Sequence, residues 1–153
     1  MEKEKNSRMV DLIVIHCSAT KETSRLTPLA LDRMHRQRGF NGCGYHYYIE
    51  RDGKINSMRP SEKVGAHARG YNAHSLGICY EGGLDKNGRA ADTRTERQKV
   101  SLRALVKVLR QLYPTINRVV GHRDLSADRN GDGVITTDEW TKQCPCFDVA
   151  SEL

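Results

Sequence analysis

VDLIVIH, residues 10 to 16, is a short apolar run rich in β-branched residues that ends on a histidine. A strand with one wet face alternates apolar and polar side chains. An unbroken run instead marks a strand buried on both faces, as in sheets covered by helices. The run therefore predicts a central strand of an α/β domain. Neighbouring side chains on a strand point to opposite faces, so His16 and Cys17 cannot both face one site unless the strand ends between them.

The flanking segments supply the rest of such a domain. TPLALDRMHRQRG carries Thr27 as N-cap, Pro28 at the first helical position and Gly39 past the end, which predicts a helix over about 28–38. GYHYYIERDGKINSMR places aromatic and β-branched residues on both sides of Asp52-Gly53, predicting a hairpin with strands near 45–50 and 54–58. HSLGICYEG reads as another buried strand. TERQKVSLRALVKVLRQLYP opens with Thr95 and Gln98 in capping-box spacing and stops at Pro114, with Val100, Leu105, Val106, Leu109 and Leu112 expected near one face. INRVVGH is a last short strand ending at His122. The fold class is α/β, a single domain with a central mixed sheet flanked by helices.

With 153 residues the chain can bury one substantial core, so its motifs should serve one site. The polar start, MEKEKNSRMVD, holds neither a signal-peptide apolar region nor a membrane span, so the protein is expected to be made in the cytoplasm and not to enter a membrane. Five cysteines without an export signal point to metal binding, reactivity or burial rather than a disulfide framework. Lysine and arginine outnumber aspartate and glutamate by 25 to 19, which favours a polyanionic partner such as nucleic acid or bacterial cell wall. The basic residues are scattered among acidic ones and no nucleic-acid module motif is present, so nucleic acid is the weaker choice.

Two predicted strands end in histidine, and a catalytic zinc takes three N, S or carboxylate ligands and leaves a fourth position open. His16, His122 and one cysteine of QCPCF, Cys144 or Cys146, would make that set. Their spacing forms no local zinc signature, so the residues alone favour the plainer reading of core or surface histidines and cysteines packed as small hydrophobes. Between them lies DRNGDGVITTDEW, residues 128–140, which follows the twelve-residue calcium-loop pattern. Asp128, Asn130 and Asp132 fall at positions 1, 3 and 5, Gly133 at the sharp turn and Val134 at the carbonyl position. Thr136 falls at position 9 and Glu139 at the bidentate position 12. The pattern predicts one structural Ca2+ in a lone loop, with an exiting helical turn around DEWTKQ.

IVIHCSAT, GYHYYIERDG, VGAHARGYNAHSLGICYEGG, GHRD and KQCPCFD, taken together and in this order, resemble the zinc-dependent N-acetylmuramoyl-L-alanine amidases. The likeness is strongest to the small phage lysozyme-amidases, whose fold is shared by peptidoglycan recognition proteins, and it spans about residues 9–148. The resemblance implies one catalytic zinc on His16, His122 and Cys144, the cysteine that precedes proline. It implies catalytic roles for Tyr45 and Lys142, and peptidoglycan as the partner, cut between N-acetylmuramic acid and the L-alanine of the stem peptide. A non-catalytic peptidoglycan-binding module is the alternative the same fold allows. His67 falls where the family has a histidine near the substrate, and Arg69, Tyr71 and Asn72 are expected along the groove wall. Cys17 is expected to face away from the metal as packing, Cys43 and Cys79 have no evident partner, and His46 should point away from Tyr45. The resulting organisation is a polar tail over 1–8 and an amidase domain over 9–153. A calcium-loop-like insertion occupies 124–141, and the protein is expected to be a monomer.

Overall fold

A computed structural model describes residues 8–153. The polar tail expected over 1–8 lies outside these residues except at Arg8, which is tied down. Its guanidinium donates to the carbonyl oxygens of Ser61, Asn72, Ala73 and Ser75 at 2.8–3.3 Å.

Strand β1, Leu12–Cys17, is buried at all six residues. It lies between β5 (Ser75–Tyr80) and β7 (Arg118–Gly121), parallel to both. On the far side of β5 comes β3, Tyr47–Ile49, also parallel, and β4, Ile55–Ser57, closes the edge as its antiparallel hairpin partner. The sheet order is β4-β3-β5-β1-β7, mixed as the sequence predicts. Asp52-Gly53 makes the hairpin turn, where Gly53 has φ +89°. That left-handed conformation is the reason glycine is favoured there. Strand β2 (Thr20–Lys21) pairs with β6 (Gly83–Leu84) in a small separate ladder that the sequence reading did not foresee.

Helix α1, Pro28–Gln37, is capped by Thr27, whose side chain accepts from the Ala30 N–H. Helix α2, Glu96–Leu112, has the full reciprocal capping box of Thr95 and Gln98. The two helices cover opposite faces of the sheet. On one face Ile13, Ile15, Leu76, Ile78 and Tyr80 pack against Leu102, Leu105, Val106 and Leu109 of α2. The other face carries Leu31 of α1 against Tyr48 and Cys79, and a second cluster of Leu12, Val14 and Ala68. The expected apolar face of α2 needs correcting at two positions. Val100 and Leu112 are 58% and 61% exposed, and fully buried Leu102 takes their place. Burying Leu102, Leu105, Val106 and Leu109 accounts for roughly 1.5–3 kcal/mol each before entropy is counted. A last turn, α3 (Val149–Glu152), docks the C-terminus: Arg94 stacks on Phe147 at 3.4 Å and pairs with Glu152.

The alternation on β1 positions the site. Ile13, Ile15 and Cys17 point toward α2, so Leu12, Val14 and His16 point to the α1 face. Strand β1 runs one residue further than expected, through Cys17, and β7 stops at Gly121, so His122 begins a 3-10 turn instead of ending a strand.

Candidate active site and metal centre

Three segments deliver three candidate ligands to one point. His16 sits near the end of β1, His122 opens the turn after β7, and Cys144 lies beyond the segment 124–141. Their ligand atoms fall within 4.8 Å of one another. Each is fixed by its neighbours. Gly121 donates to Asp124 Oδ2 at 2.8 Å, which caps the turn carrying His122, and the Arg123 N–H donates to the Cys144 carbonyl at 2.8 Å. A Cβ at Gly121 would lie 2.7 Å from Pro145 Cδ, so only glycine lets the two ligand segments approach so closely. The Cys144 Sγ accepts the backbone N–H of Cys17 at 3.1 Å.

Behind His16 stands His67. His16 Nε2 and His67 Nδ1 are 2.9 Å apart, and His67 Nε2 is 3.2 Å from Ser75 Oγ. With His16 protonated on Nε2, the proton is shared with His67 Nδ1 and His67 Nε2–H donates to Ser75. The Nδ1 lone pair of His16 is then left for a metal, and an outer hydrogen bond of this kind orients a ligand imidazole. Burial, with the neighbouring His67, His122 and Lys142 charges, pushes the His16 pKa well below the ordinary histidine value. Burial and Lys142 hold His122 down to about 4. Both imidazoles are therefore neutral at pH 7, the form that binds metal. Two nitrogens and a sulfur suit zinc better than a hard cation.

The three ligands lie in a cleft of about 500 Å3 together with Tyr45, His67, Lys142, Arg38 and Phe40. The Tyr45 ring centroid is 5.0 Å from that of His16. His35, which the sequence reading overlooked, supports it from α1. The His35 ring lies 5.3 Å from Tyr45, and its Nδ1 accepts the Gly44 N–H at 2.8 Å. The missed signal is a histidine on the inner face of an amphipathic helix, three positions before Arg38. Lys142 is exposed at the rim. Arg69 and Tyr71 border a separate cleft of about 190 Å3 that shares His122 and Lys142 with the first and is walled by Ser126 and Thr141. Asn72 is not turned to the groove: its Oδ1 accepts the N–H groups of His67 and Ala68, both at 2.9 Å. His46 does point away from Tyr45 and is structural, with Nδ1 accepting the Gly77 N–H and Nε2 donating to Lys63 O.

The remaining cysteines divide. Cys43 and Cys79 are buried in the α1-side core. Cys17 packs toward α2, but it does not face away from the candidate ligands as expected: it lines the same cleft, because the strand ends there, and hydrogen bonding with the Cys144 thiol pushes its own thiol up to about 12. Cys146 Sγ is 3.5 Å from Gly83 O and lies outside the ligand cluster.

The segment 124–141, expected as an insertion, closes at its base, where Thr141 N–H donates to Ser126 Oγ at 3.1 Å. Asp128, Asp132 and Glu139 converge within 4.8 Å. Glu139 is 3% exposed and accepts the backbone N–H groups of Arg129, Asn130 and Thr136, whereas Val134 is 58% exposed. The exiting turn is the 3-10 segment Thr137–Glu139.

Residues 6–146 match a family model described as N-acetylmuramoyl-L-alanine amidase. The endolysin of Escherichia phage T7 is 38% identical over 109 residues, covering 71% of this chain and 72% of that protein. The endolysin of Klebsiella phage KP32 is 34% identical over 137 residues, covering 90% and 81%. Among solved structures, the N-acetylmuramoyl-L-alanine amidase LysCS from Clostridium intestinale superposes with a TM-score of 0.71 at 31% identity, covering 94% of this chain and 79% of that one. Drosophila PGRP-LB shares the fold, with a TM-score of 0.67 at 21% identity and coverage of 91% and 76%.

Proposed function

Since the chain belongs to the N-acetylmuramoyl-L-alanine amidase family, we propose that it hydrolyses the amide between the lactyl group of N-acetylmuramic acid and the L-alanine of the peptidoglycan stem, with zinc as cofactor. The observation that carries this reading is the convergence of His16, His122 and Cys144 in a cleft that also holds Tyr45 and Lys142. When bound there, zinc would supply Lewis acidity to the scissile carbonyl and to the attacking water. The remaining steps belong to the chain. Tyr45, a phenol packed against His16, hydrogen-bonds the attacking water and aligns it with the carbonyl. Lys142 sets its ammonium beside the developing oxyanion, where a fixed positive charge lowers the barrier. His67 keeps the His16 ring in register, and the Cys17 N–H holds Cys144 Sγ in place.

The same fold could hold peptidoglycan without cutting it. The presence of the cysteine, Tyr45 and Lys142 in one cleft favours hydrolysis over that alternative. Calorimetric titration of zinc into chelator-stripped protein, followed by clearing of a peptidoglycan suspension, tests the reading. One zinc per chain and clearing only after zinc is restored are expected. Clearing by fully metal-free protein would refute it.

For the insertion over 124–141 the proposal is a structural Ca2+ bound by Asp128, Asn130, Asp132, Val134, Thr136 and Glu139. Its support is the convergence of three carboxylates at the places the twelve-residue pattern requires. The ion would hold the insertion so that Lys142 and Cys144 reach the cleft. Calcium that neither binds nor raises the melting temperature would reduce the loop to an Asx-Gly turn.

A further inference from the structure

We propose that the outer face of α2 is a docking surface for anionic phospholipid, held through the headgroup phosphates and through shallow burial of a ridge of small apolar side chains. Residues four apart form ridges along a helix, and two such ridges run side by side here. Val100, Ala104, Val108 and Leu112 make one. All four are exposed, Val108 at 48% beside the values already given for Val100 and Leu112. Lys99, Arg103 and Lys107 make the other, and Arg97 and Arg110 extend the charge toward the two ends of the helix. The opposite stripe, Leu102, Leu105, Val106 and Leu109, holds α2 to the sheet and takes no part in this face.

The charge on the helix is lopsided. Helix α2 carries five of the chain's 25 lysines and arginines but one of its 19 acids, Glu96. Glu96 pairs with Lys99 at 3.4 Å and lies with Asp52 at the N-terminal end. Beyond that first turn the side chains of Arg103, Lys107 and Arg110 are exposed, and among the described residues none of them has a carboxylate partner.

The pairing of the two ridges selects the partner. Exposed apolar side chains gain from burial, and cations beside them gain from phosphates, so the fitting surface is negative above and apolar below. A phospholipid headgroup layer has that profile, and the long lysine and arginine side chains can reach the phosphates while valine and leucine sit deeper. Nucleic acid would answer the charge but leave the apolar ridge in water. A protein partner would need an anchor, and α2 has no aromatic residue to supply one. The contact is with a surface and not a span, since among the described residues no helix is long and apolar enough to cross a membrane. The cleft holding the candidate ligands is lined from the α1 side by His35 and Tyr45 and by no residue of α2. A molecule seated on lipid through α2 therefore keeps that cleft open to polymer on the far side.

Co-sedimentation of the full chain with phosphatidylcholine vesicles, with and without phosphatidylglycerol, tests the proposal. Wild type should bind the phosphatidylglycerol vesicles about tenfold more tightly or better, an advantage that added salt narrows. Two double variants, each established as folded by its melting curve, separate the ridges. Val108→Ser with Leu112→Ser, and Arg103→Gln with Lys107→Gln, should each weaken that binding by about tenfold. Equal binding to both kinds of vesicle, or none, would overturn the proposal. Binding that falls with the cations but survives in the serine variant would overturn it too, as charge adsorption alone. Duplex DNA bound more tightly than the vesicles would make this a nucleic-acid surface instead, and a dimer in sedimentation that the serine variant loses would assign the face to a second copy. None of these readouts requires turnover, so the proposal and the amidase reading fail independently.

Discussion

The backbone N–H of Cys17 donates to the Sγ of Cys144 at 3.1 Å, joining residues 127 positions apart in the chain. The end of the central strand thereby touches the last candidate ligand of the site and fixes where its sulfur sits. Cys146, two residues on, lies outside that cluster, with its Sγ 3.5 Å from Gly83 O.

Cys144→Ser should therefore lose zinc, and Cys146→Ser should retain it. Metal analysis of the two purified variants checks this. The loss for Cys144→Ser should exceed the roughly 10–100-fold that follows removal of an outer partner. Zinc kept by Cys144→Ser and lost by Cys146→Ser would reverse the ligand assignment.

Tyr45→Phe and Lys142→Ala should keep zinc and the melting temperature but lose amidase turnover by about 10²–10³-fold, since the proposed mechanism has both acting on the water and the oxyanion. Turnover numbers measured with metal content in parallel decide the point. Full activity in either variant removes that residue from the reaction.

Gly77 lies directly beneath the His67 ring. A Cβ there would meet His67 Cγ at 2.6 Å. Gly77→Ala should cost about 1–3 kcal/mol of stability by overpacking and displace His67 from His16. The expected readouts are a lower melting temperature and weaker zinc binding by calorimetry. Unchanged zinc affinity would show that His67 does not orient the ligand.

The central strand, the hairpin and both helix starts were legible in the sequence because each rests on local chemistry: a β-branched run, Asp-Gly, an N-cap threonine before proline, a capping box. The set His16, His122 and Cys144 came only from the family resemblance, since its spacing forms no local signature. What stayed hidden depends on tertiary contact. His35 could be seen as a histidine in a helix, but not as the support for Tyr45, because that requires knowing which helix face meets the sheet. Asn72 was expected at the groove for its amide, yet two backbone N–H groups of the preceding turn claim its oxygen. Val100 and Leu112 fit the helical period, but α2 turns them outward, and periodicity alone leaves the width of the buried stripe undefined. The pairing of Thr20–Lys21 with Gly83–Leu84 involves runs of two residues, too short for any pattern.

His46 predicts a pH dependence. It is fully buried, and desolvation holds its pKa down to about 4. Below the ordinary histidine value of about 6.5 the unfolded chain takes up a proton that the folded one refuses. Stability is thus complete above about pH 6.5 and lost as pH falls toward 4, by at most about 3 kcal/mol from this residue. Denaturant melts across that window should show a shallower decline for His46→Gln than for wild type, from a lower starting stability. Parallel declines would show that His46 is not responsible.

The most direct test of the central claim is mass analysis of the fragments released from purified peptidoglycan by stripped and by zinc-restored protein. The account predicts intact stem peptides with a free L-alanine amino terminus, sugars left joined in the glycan, and release only with zinc. Fragments cut between sugars or within the peptide, or equal release by stripped protein, would contradict it.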